Sequence, residues 1–152
     1  AHKATHEGRT VAETVAGLKV AFEPQAIPSV VFTDPEVAWC GLTEDSARAQ
    51  DRDVSVLRFP WTASGRATTM SSQDSGLTKL IVDPSNERVL GMGVIGSGAG
   101  ELIAEGVLAV EMGALVTDLR LSIHPHPTLS ETIMEAADLF FGQSTHIYRP
   151  RE

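Results

Sequence analysis

The chain contains 152 residues, of which 42% are hydrophobic and 21% are charged, and its formal net charge at pH 7 is −8. That length and balance are typical of one soluble globular domain with a substantial core. The acidic charge argues against nucleic acid or an anionic membrane surface as a partner, because both attract basic proteins. No apolar run approaches the roughly 18 residues of a membrane-spanning helix. The first residues lack an apolar segment, so the sequence predicts no signal peptide.

The single cysteine, Cys40, excludes a disulfide within the chain and favours the reducing cytoplasm. We expect it to lie in a strand as a small, buried hydrophobic residue. A cytoplasmic location is therefore an expectation based on the cysteine count and on the missing signal peptide.

The first predicted element is a helix over residues 1–17, where alanines and valines recur with partly helical spacing. His2 and His6 share one face of this helix because they are four residues apart. No third ligand is placed to complete a metal site, so we expect exposed or packing histidines. Residues 18–28 contain two prolines and are predicted to be a crossing segment without helix.

Short apolar runs predict strands over residues 29–32, 37–41 and 54–59. Thr43 is a suitable N-cap for a short helix that we expect to reach Gln50. The stretch that follows the third strand, residues 60–67, is irregular and polar. It predicts a surface loop anchored by Trp61.

Residues 77–82 and 88–95 predict an antiparallel hairpin, because the turn sequence Asp-Pro-Ser-Asn lies between them. Residues 91–96 fit the pattern G-x-G-x-x-G, which in dinucleotide-binding proteins forms the turn between a strand and a helix. Apolar residues bracket these glycines, so we place them inside the strand and assign them a structural role. Glycine in a strand often marks the close approach of another backbone.

Residues 100–113 predict a helix on which Glu101, Glu105 and Glu111 form one narrow acidic stripe, while apolar residues fill the remainder. A helix that is apolar on more than one side must be covered on more than one side. We expect the sheet to cover one side and a second subunit to cover the other. Residues 117–121 predict a further short turn of helix.

Residues 124–131, His-Pro-His-Pro-Thr-Leu-Ser-Glu, contain the candidate chemistry. Each histidine precedes a proline, which disfavours helical geometry at the histidine, so the last helix begins only after Pro127. Thr128 and Glu131 have the spacing of a capping box, with the threonine as N-cap. In a tight turn the Glu131 carboxylate would also reach the His126 ring, orienting it and raising its basicity as for a general base.

Spacing alone leaves three interpretations of this stretch open. In the first, Glu131 only caps a helix and the histidines are ordinary loop residues. In the second, Glu131 also pairs with His126, since one carboxylate can fill both roles. In the third interpretation, His124 and His126 bind zinc, although no third ligand is placed nearby. The His126–Pro127 bond is also a candidate for the cis form, which occurs in tight functional turns.

Three stretches carry a family resemblance. Residues 124–131, with the pattern His-x-His-Pro-Thr-Leu-Ser-Glu, resemble the C-terminal signature of the dihydrolipoamide dehydrogenases, which are flavoprotein disulfide reductases. Residues 27–44 are close to a run typical of the same enzymes. Residues 1–8, Ala-His-Lys-Ala-Thr-His-Glu-Gly, look like the last helix of their flavin-binding domain.

The resemblance implies a fold and a domain organisation. We expect an α+β domain with a largely antiparallel β-sheet flanked by helices, of the dimerisation-domain type. Residues 1–24 would be the terminal helix and linker of the flavin-binding domain. Residues 25–145 would form the C-terminal dimerisation domain, and residues 146–152 a tail.

The resemblance also assigns roles to residues. The family's acid/base histidine and its glutamate partner correspond to His126 and Glu131, and in the family that histidine serves the redox disulfide of the other subunit. Contacts to the flavin are expected at Ala1, His126 and Pro127. No metal site is expected.

The implied activity is oxidation of dihydrolipoamide by NAD⁺ through FAD and a redox disulfide. FAD and NAD would belong to the full-length enzyme, and we expect neither to bind this chain tightly, since it has no cysteine pair and no credible FAD fingerprint. The implied partners are a second copy and the lipoyl-bearing component of a 2-oxo acid dehydrogenase or glycine cleavage complex.

Two alternatives remain from the sequence. One is the interface domain of another disulfide reductase, similar to glutathione or mercuric reductase. Mercuric reductases usually end in adjacent cysteines, which residues 149–152 lack, and glutathione reductases fit residues 27–44 less well. The other alternative is a non-catalytic homodimerisation module in which His126 only occupies a subunit interface.

Overall fold

A computed structural model describes residues 1–70 and 76–147 of the chain. The strands are β1 (Ser29–Val31), β2 (Val37–Gly41), β3 (Ser55–Pro60), β4 (Leu77–Val82) and β5 (Val89–Ile95). The helices are α1 (His2–Val15), α2 (Glu44–Ala49), α3 (Gly65–Met70), α4 (Ala99–Met112), α5 (Val116–Leu121) and α6 (Glu131–Asp138). Short 3₁₀ turns cover Trp61–Ala63 and Leu139–Phe141. Among the described helices, none is long and apolar enough to cross a membrane.

The five strands form one sheet in the order β1-β2-β5-β4-β3, and every pairing in it is antiparallel. The predicted hairpin is confirmed: β4 and β5 pair with Leu80 opposite Met92. Its turn is closed by Asp83, whose carboxylate accepts hydrogen bonds from the backbone N–H of Ser85 at 3.0 Å and from its hydroxyl at 2.6 Å. The α+β, antiparallel class expected from the sequence is therefore confirmed.

The core lies between one face of the sheet and two helices. α4 packs on β5 and β2, and α6 packs on β4 and β3. Gly106 allows the close approach of α4, because a Cβ there would lie 2.7 Å from the sulfur of Met92 and 3.2 Å from that of Cys40. Cys40 is 1% exposed, as expected for a strand residue used as a small hydrophobe. Burial raises the pKa of its thiol to about 11, against a smaller opposing effect of a hydrogen bond with the Met92 backbone.

The glycine-rich pattern of residues 91–96 is structural, as predicted. Gly91 and Gly93 lie within β5, and α4 begins only at Ala99. A side chain on Gly91 would collide with the carbonyl oxygen of Leu42, which is the close backbone approach expected of a glycine in a strand. The dinucleotide interpretation fails because the helix N-terminus is not at these glycines.

The prediction of a surface loop over residues 60–67 is wrong in part. A 3₁₀ turn and the helix α3 occupy this region, and the Ser64 hydroxyl accepts a hydrogen bond from the Ala67 N–H at 3.3 Å. Trp61 is an anchor, as expected, but it is 1% exposed rather than at the surface. Its indole N–H donates to the Thr78 hydroxyl at 2.9 Å, and that hydroxyl is 2.7 Å from the hydroxyl of Thr132 on α6. This buried polar link joins α6 to the sheet.

The outer segments agree with the sequence in outline. Residues 1–17 and 43–50 contain helices as predicted, and the Thr43 hydroxyl accepts from the Ser46 N–H at 3.1 Å as the N-cap of α2. Of the predicted tail, residues 148–152 lie outside the described residues. The domain boundaries themselves stay a prediction.

Candidate acid/base site

The candidate site lies in the turn between α5 and α6. The His126–Pro127 peptide bond in this turn is cis, as predicted from the sequence, and a second cis bond joins Asp34 and Pro35. The His126 side chain in this turn is 80% exposed.

His126 and Glu131 are brought together, as the five-residue spacing predicted. The His126 Nδ1 is 2.7 Å from Oε1 of Glu131. The other carboxylate oxygen accepts a hydrogen bond of 2.7 Å from the backbone N–H of Thr128. Glu131 therefore fixes both the ring and the backbone of the turn, while the Nε2 nitrogen has no hydrogen bond within the described residues.

Only one of the two hydrogen bonds of the predicted capping box forms, the one that the Glu131 carboxylate accepts from the Thr128 N–H. α6 begins at Glu131, and Ser130 occupies its N-cap position without a side-chain cap. The Thr128 hydroxyl donates to the carbonyl oxygen of Pro125 at 2.6 Å and lies 2.8 Å from the Ser130 hydroxyl. Thr128 is therefore not the N-cap that the spacing suggested, because its hydroxyl folds back onto the proline turn. Glu131 still satisfies the Thr128 N–H and holds the histidine as well.

Glu131 is suited to remain ionised beside the ring. Partial burial raises the pKa of this carboxyl group, but the hydrogen bonds from Thr128 and His126 and the charges of His126 and His146 outweigh it. The pKa of Glu131 is therefore lower than that of an ordinary glutamate. A carboxylate at Nδ1 fixes the tautomer with the proton on Nδ1 and stabilises the imidazolium that forms when Nε2 accepts a second proton.

His124, two residues before His126, is in a different environment. Its side chain is only 6% exposed. Nε2 lies 2.8 Å from Oε1 of Glu105 on α4, and Nδ1 lies 2.9 Å from the carbonyl oxygen of Ser122. With both ring nitrogens in hydrogen bonds, His124 has no lone pair to share with His126 for zinc, and the metal interpretation loses its second ligand.

A second histidine–glutamate pair lies one helical turn further along α6, and the sequence analysis missed it. Glu135 is 5% exposed. Its carboxylate accepts hydrogen bonds from the Ser144 hydroxyl at 2.9 Å and from Nδ1 of His146 at 2.5 Å. The signal was the four-residue spacing from Glu131, which places both carboxylates on one helix face. Ser144 and His146, in the segment that follows α6, are thereby attached to this helix.

Apolar side chains remain exposed next to the site, as predicted for α4. The sheet covers one side of α4 through Ile103, Ala109 and Val110. The opposite side and the following segment leave large apolar residues in solvent, with Met112 at 75% and Ile123 at 98% exposure. We call this surface the α4–α5 patch, and its members are Leu108, Met112, Leu115, Leu121 and Ile123. Large exposed apolar side chains that share one helix face, as Leu108 and Met112 do on α4, are characteristic of an interaction surface.

The residues expected to meet a flavin are all at the surface. Ala1 precedes α1, no residue of which is buried, and His126 and Pro127 are exposed in the turn. Their contact with a flavin stays a prediction.

The protein-family model of the pyridine nucleotide-disulphide oxidoreductase dimerisation domain matches residues 27–137 of the chain. The chain belongs to this family. The match begins just before β1 and ends within α6, so the sheet, α4 and the His-Pro turn all fall inside it.

Curated relatives named dihydrolipoyl dehydrogenase are similar over nearly the whole chain. The protein from Haemophilus influenzae is 48% identical over 147 residues, which is 97% of this chain and 30% of that protein. The protein from Thermus scotoductus is 52% identical over 147 residues, which is 97% of this chain and 32% of that protein. The chain thus spans about a third of the length of the curated relatives it matches.

Two solved structures share the fold. LpdA from Mycobacterium tuberculosis aligns with a TM-score of 0.79 at 28% identity, covering 87% of this chain and 29% of that one. The HOCl-induced flavoprotein disulfide reductase RclA from Escherichia coli aligns with a TM-score of 0.78 at 28% identity, covering 86% and 30%. The described architecture is therefore that of the pyridine nucleotide-disulphide oxidoreductase dimerisation domain.

Proposed function

We propose that the chain is the dimerisation part of a dihydrolipoyl dehydrogenase and supplies the acid/base pair His126 and Glu131 to the active site of a second subunit. The observation that carries the proposal is the 2.7 Å contact between Nδ1 of His126 and Glu131, on a ring that is 80% exposed. The likeness to dihydrolipoyl dehydrogenases over 97% of the chain supports the choice of reaction.

The role of His126 follows from the chemistry of thiol–disulfide exchange, in which the thiolate and not the thiol is the nucleophile. Nε2 of His126 accepts the proton of a dihydrolipoamide thiol and becomes imidazolium, with Glu131 balancing the new charge. The thiolate then attacks one sulfur of a redox disulfide, a new S–S bond forms, and the old one breaks to release a thiolate. The exposed Nε2 suits delivery to a sulfur that lies outside this protomer.

FAD and NAD would be held by other parts of the full-length enzyme. Gly91 and Gly93 lie within β5, and in the glycine turn that follows, at the start of α4, the Gly100 N–H already donates to the Glu36 carboxylate at 3.0 Å, a group that would repel a pyrophosphate. The described residues therefore do not by themselves form a pyrophosphate site for FAD or NAD. The contribution of this chain is the proton acceptor, the surface for the second copy and the expected flavin contacts at Ala1, His126 and Pro127.

Homodimerisation is part of the proposal. In the α4–α5 patch, Met112 is 75% exposed, and Ile123, which directly precedes His124, is 98% exposed. A partner that covers this patch would be brought next to His126. The lipoyl-bearing component of a 2-oxo acid dehydrogenase or glycine cleavage complex is the proposed source of dihydrolipoamide, and the cytoplasm the proposed location.

The second candidate is a dimerisation module without catalytic use of His126, which the same exposed patch favours. A related candidate is the interface domain of another disulfide reductase, to which the similarity with RclA points. Both keep the fold and the dimer but change the reaction.

Mixed dimers of the full-length enzyme test the proposal. One subunit carries His126→Gln and an intact redox disulfide, and the other carries an intact His126 and serines in place of the redox cysteines. Each parental homodimer should be inactive with dihydrolipoamide. If His126 serves the other subunit, the mixed dimer regains one complete site and up to about half of the wild-type rate per dimer. Inactive mixed dimers, or an active His126→Gln homodimer, would refute the proposal.

The isolated chain gives an independent check. Mixed with FAD, NAD⁺ and dihydrolipoamide, the 152-residue chain should produce no NADH, because it has no redox cysteine pair. Turnover by the chain alone would contradict the assignment of the disulfide to another part of the enzyme.

A further inference from the structure

The His-Pro turn is attached to α4 by one hydrogen bond from a nearly buried histidine. Nε2 of His124 lies 2.8 Å from Oε1 of Glu105, and the His124 side chain is 6% exposed. Its other ring nitrogen is 2.9 Å from the carbonyl oxygen of Ser122 in the same turn. Both ring nitrogens therefore face oxygen atoms, one on α4 and one in the backbone of the turn. One imidazole thus connects the backbone of the turn to a helix 19 residues earlier.

Movement of His124 would be passed on to His126 because the backbone between them is stiff. Pro125 lies between the two histidines and Pro127 follows the second, and each proline has a fixed φ angle and no N–H. The residue before each proline is restricted as well. Few torsions are left to absorb a displacement of the His124 ring before it reaches the His126 ring.

The turn is held at three places in the described part of the chain. The N–H and the hydroxyl of Ser122 both donate to the carbonyl oxygen of Asp118 on α5, the hydroxyl at 2.8 Å. His126 and Thr128 bond to Glu131 on α6. The His124–Glu105 bond is the only one of the three that reaches α4, the helix with the exposed apolar side.

Glu105 lies on that exposed side of α4. Leu108 is three residues further along and Met112 seven, so all three share one helix face, and Leu108 is 63% exposed. Whatever covers the α4–α5 patch would also lie against Glu105 and reduce its contact with water. A hydrogen bond between these two groups becomes stronger as water is removed.

We infer that Glu105 and His124 are positioning residues for His126: they fix the acid/base ring and link its position to the covering of α4 by a second copy. This inference deepens the proposed function and rests on it for the role of His126. The claim that Glu105 and His124 position the His126 ring can be tested apart from the catalytic role of His126, because ring geometry can be measured without catalysis.

Four variants distinguish the effect of the His124–Glu105 hydrogen bond from other effects of substitution on α4. Glu105→Ala removes the acceptor and His124→Leu removes the ring. Glu105→Gln keeps a hydrogen bond, because its amide can donate to Nε2 while the ring proton stays on Nδ1. Glu101→Ala is the matched control, since Glu101 is exposed on the same helix one turn earlier.

The first measurement is the imidazole ¹H–¹⁵N spectrum of the 152-residue chain, which reports the tautomer of each histidine. In the wild type, in Glu105→Gln and in Glu101→Ala, His126 should show one tautomer with the proton on Nδ1. Glu105→Ala and His124→Leu should give a mixture of tautomers at His126, although neither substitution touches that residue. An unchanged His126 signal in both would overturn the inference.

The second measurement is the rate at which dihydrolipoamide reduces the full-length enzyme carrying the same substitutions. We expect Glu105→Ala and His124→Leu to slow this step about 10- to 100-fold, as for a misplaced catalytic group. Glu105→Gln should recover most of the rate, and dimer mass and FAD content should stay unchanged in all variants. Full rates in Glu105→Ala and His124→Leu, with a slow His126→Gln enzyme, would overturn the positioning role alone. Full rates in His126→Gln as well would instead defeat the proposed function.

Discussion

Glu131 holds His126 by one carboxylate oxygen, 2.7 Å from the ring Nδ1, and at the same time forms the first residue of α6. The helix start and the candidate acid/base ring are thereby fixed by the same side chain. A pair arranged in this way has its ring orientation set before any substrate arrives, which lowers the entropic cost of reaching a reactive geometry.

The first prediction concerns the charge of Glu131. Glu131→Gln keeps an acceptor near Nδ1 but removes the charge that balances the imidazolium. We expect reduction of the full-length enzyme by dihydrolipoamide to slow by about 10-fold or more, within the range of general-base effects. Asp53→Asn, at an exposed position away from the site, should leave the rate unchanged. An unaffected rate in Glu131→Gln would remove Glu131 from the mechanism.

The second prediction is the pH dependence of stability at the same residue. The pKa of Glu131 is lower in the folded chain than in the unfolded one. Its contribution is therefore fully present above the unfolded-state pKa, near 4.3, and is lost as the pH falls through the lower folded-state value. Glu131→Gln should lower the Tm at pH 7 by a few degrees, as for a loss of about 1 kcal/mol. At pH 3 the difference from wild type should shrink, and an equal difference at both pH values would contradict the lowered pKa.

The third prediction concerns the α4–α5 patch. A charge placed in the middle of an apolar contact costs about 2 kcal/mol or more. Leu108→Glu and Met112→Glu should therefore weaken self-association of the chain by about 30-fold or more. Val15→Glu is the control, because Val15 is 84% exposed but lies on α1. Analytical ultracentrifugation over a range of concentrations measures the effect, and dimers of wild-type strength in both patch variants would rule out this surface.

The fourth prediction concerns the buried pair of Glu135 and His146. Glu135→Ala leaves the Ser144 hydroxyl and the His146 ring without their common acceptor and opens space under the segment that follows α6. We expect the unfolding free energy to fall by about 2 kcal/mol, with a matching loss of several degrees in Tm. Hydrogen exchange should increase in residues 143–147. Protection at the wild-type level there would show that this carboxylate does not hold the segment.

The fifth prediction uses Cys40. With a pKa of about 11, its thiol is almost entirely protonated at pH 8, so iodoacetamide should label the native chain at least about 100-fold more slowly than the urea-unfolded chain. Mass spectrometry over time measures both rates. Equal rates would mean that the thiol is accessible and that the contact between α4 and the sheet is open.

Much of the fold could be predicted because its signals are local. The hairpin of β4 and β5 follows from a turn sequence between two apolar runs, and the pairing of His126 with Glu131 follows from a five-residue spacing across two prolines. The glycines of residues 91–96 could be rejected as a nucleotide site from their apolar neighbours alone.

The parts that escaped prediction depend on distant partners. Trp61 can be buried because its indole N–H has a partner in the hydroxyl of Thr78, a polar residue in a strand. That hydroxyl also contacts Thr132, which lies 54 residues further along the chain. The Thr128 hydroxyl had two possible uses, and only the folded turn decides that it bonds to Pro125 rather than capping α6. Neither choice has a signal in the adjacent sequence.

The central claim is that His126 accepts the proton of the substrate thiol, and rapid-mixing kinetics of the full-length His126→Gln enzyme test it most directly. The rate at which dihydrolipoamide reduces the enzyme should fall by about 10² to 10⁴, while dimer mass and FAD content remain normal. Reduction at the wild-type rate by a correctly assembled His126→Gln dimer would contradict the claim.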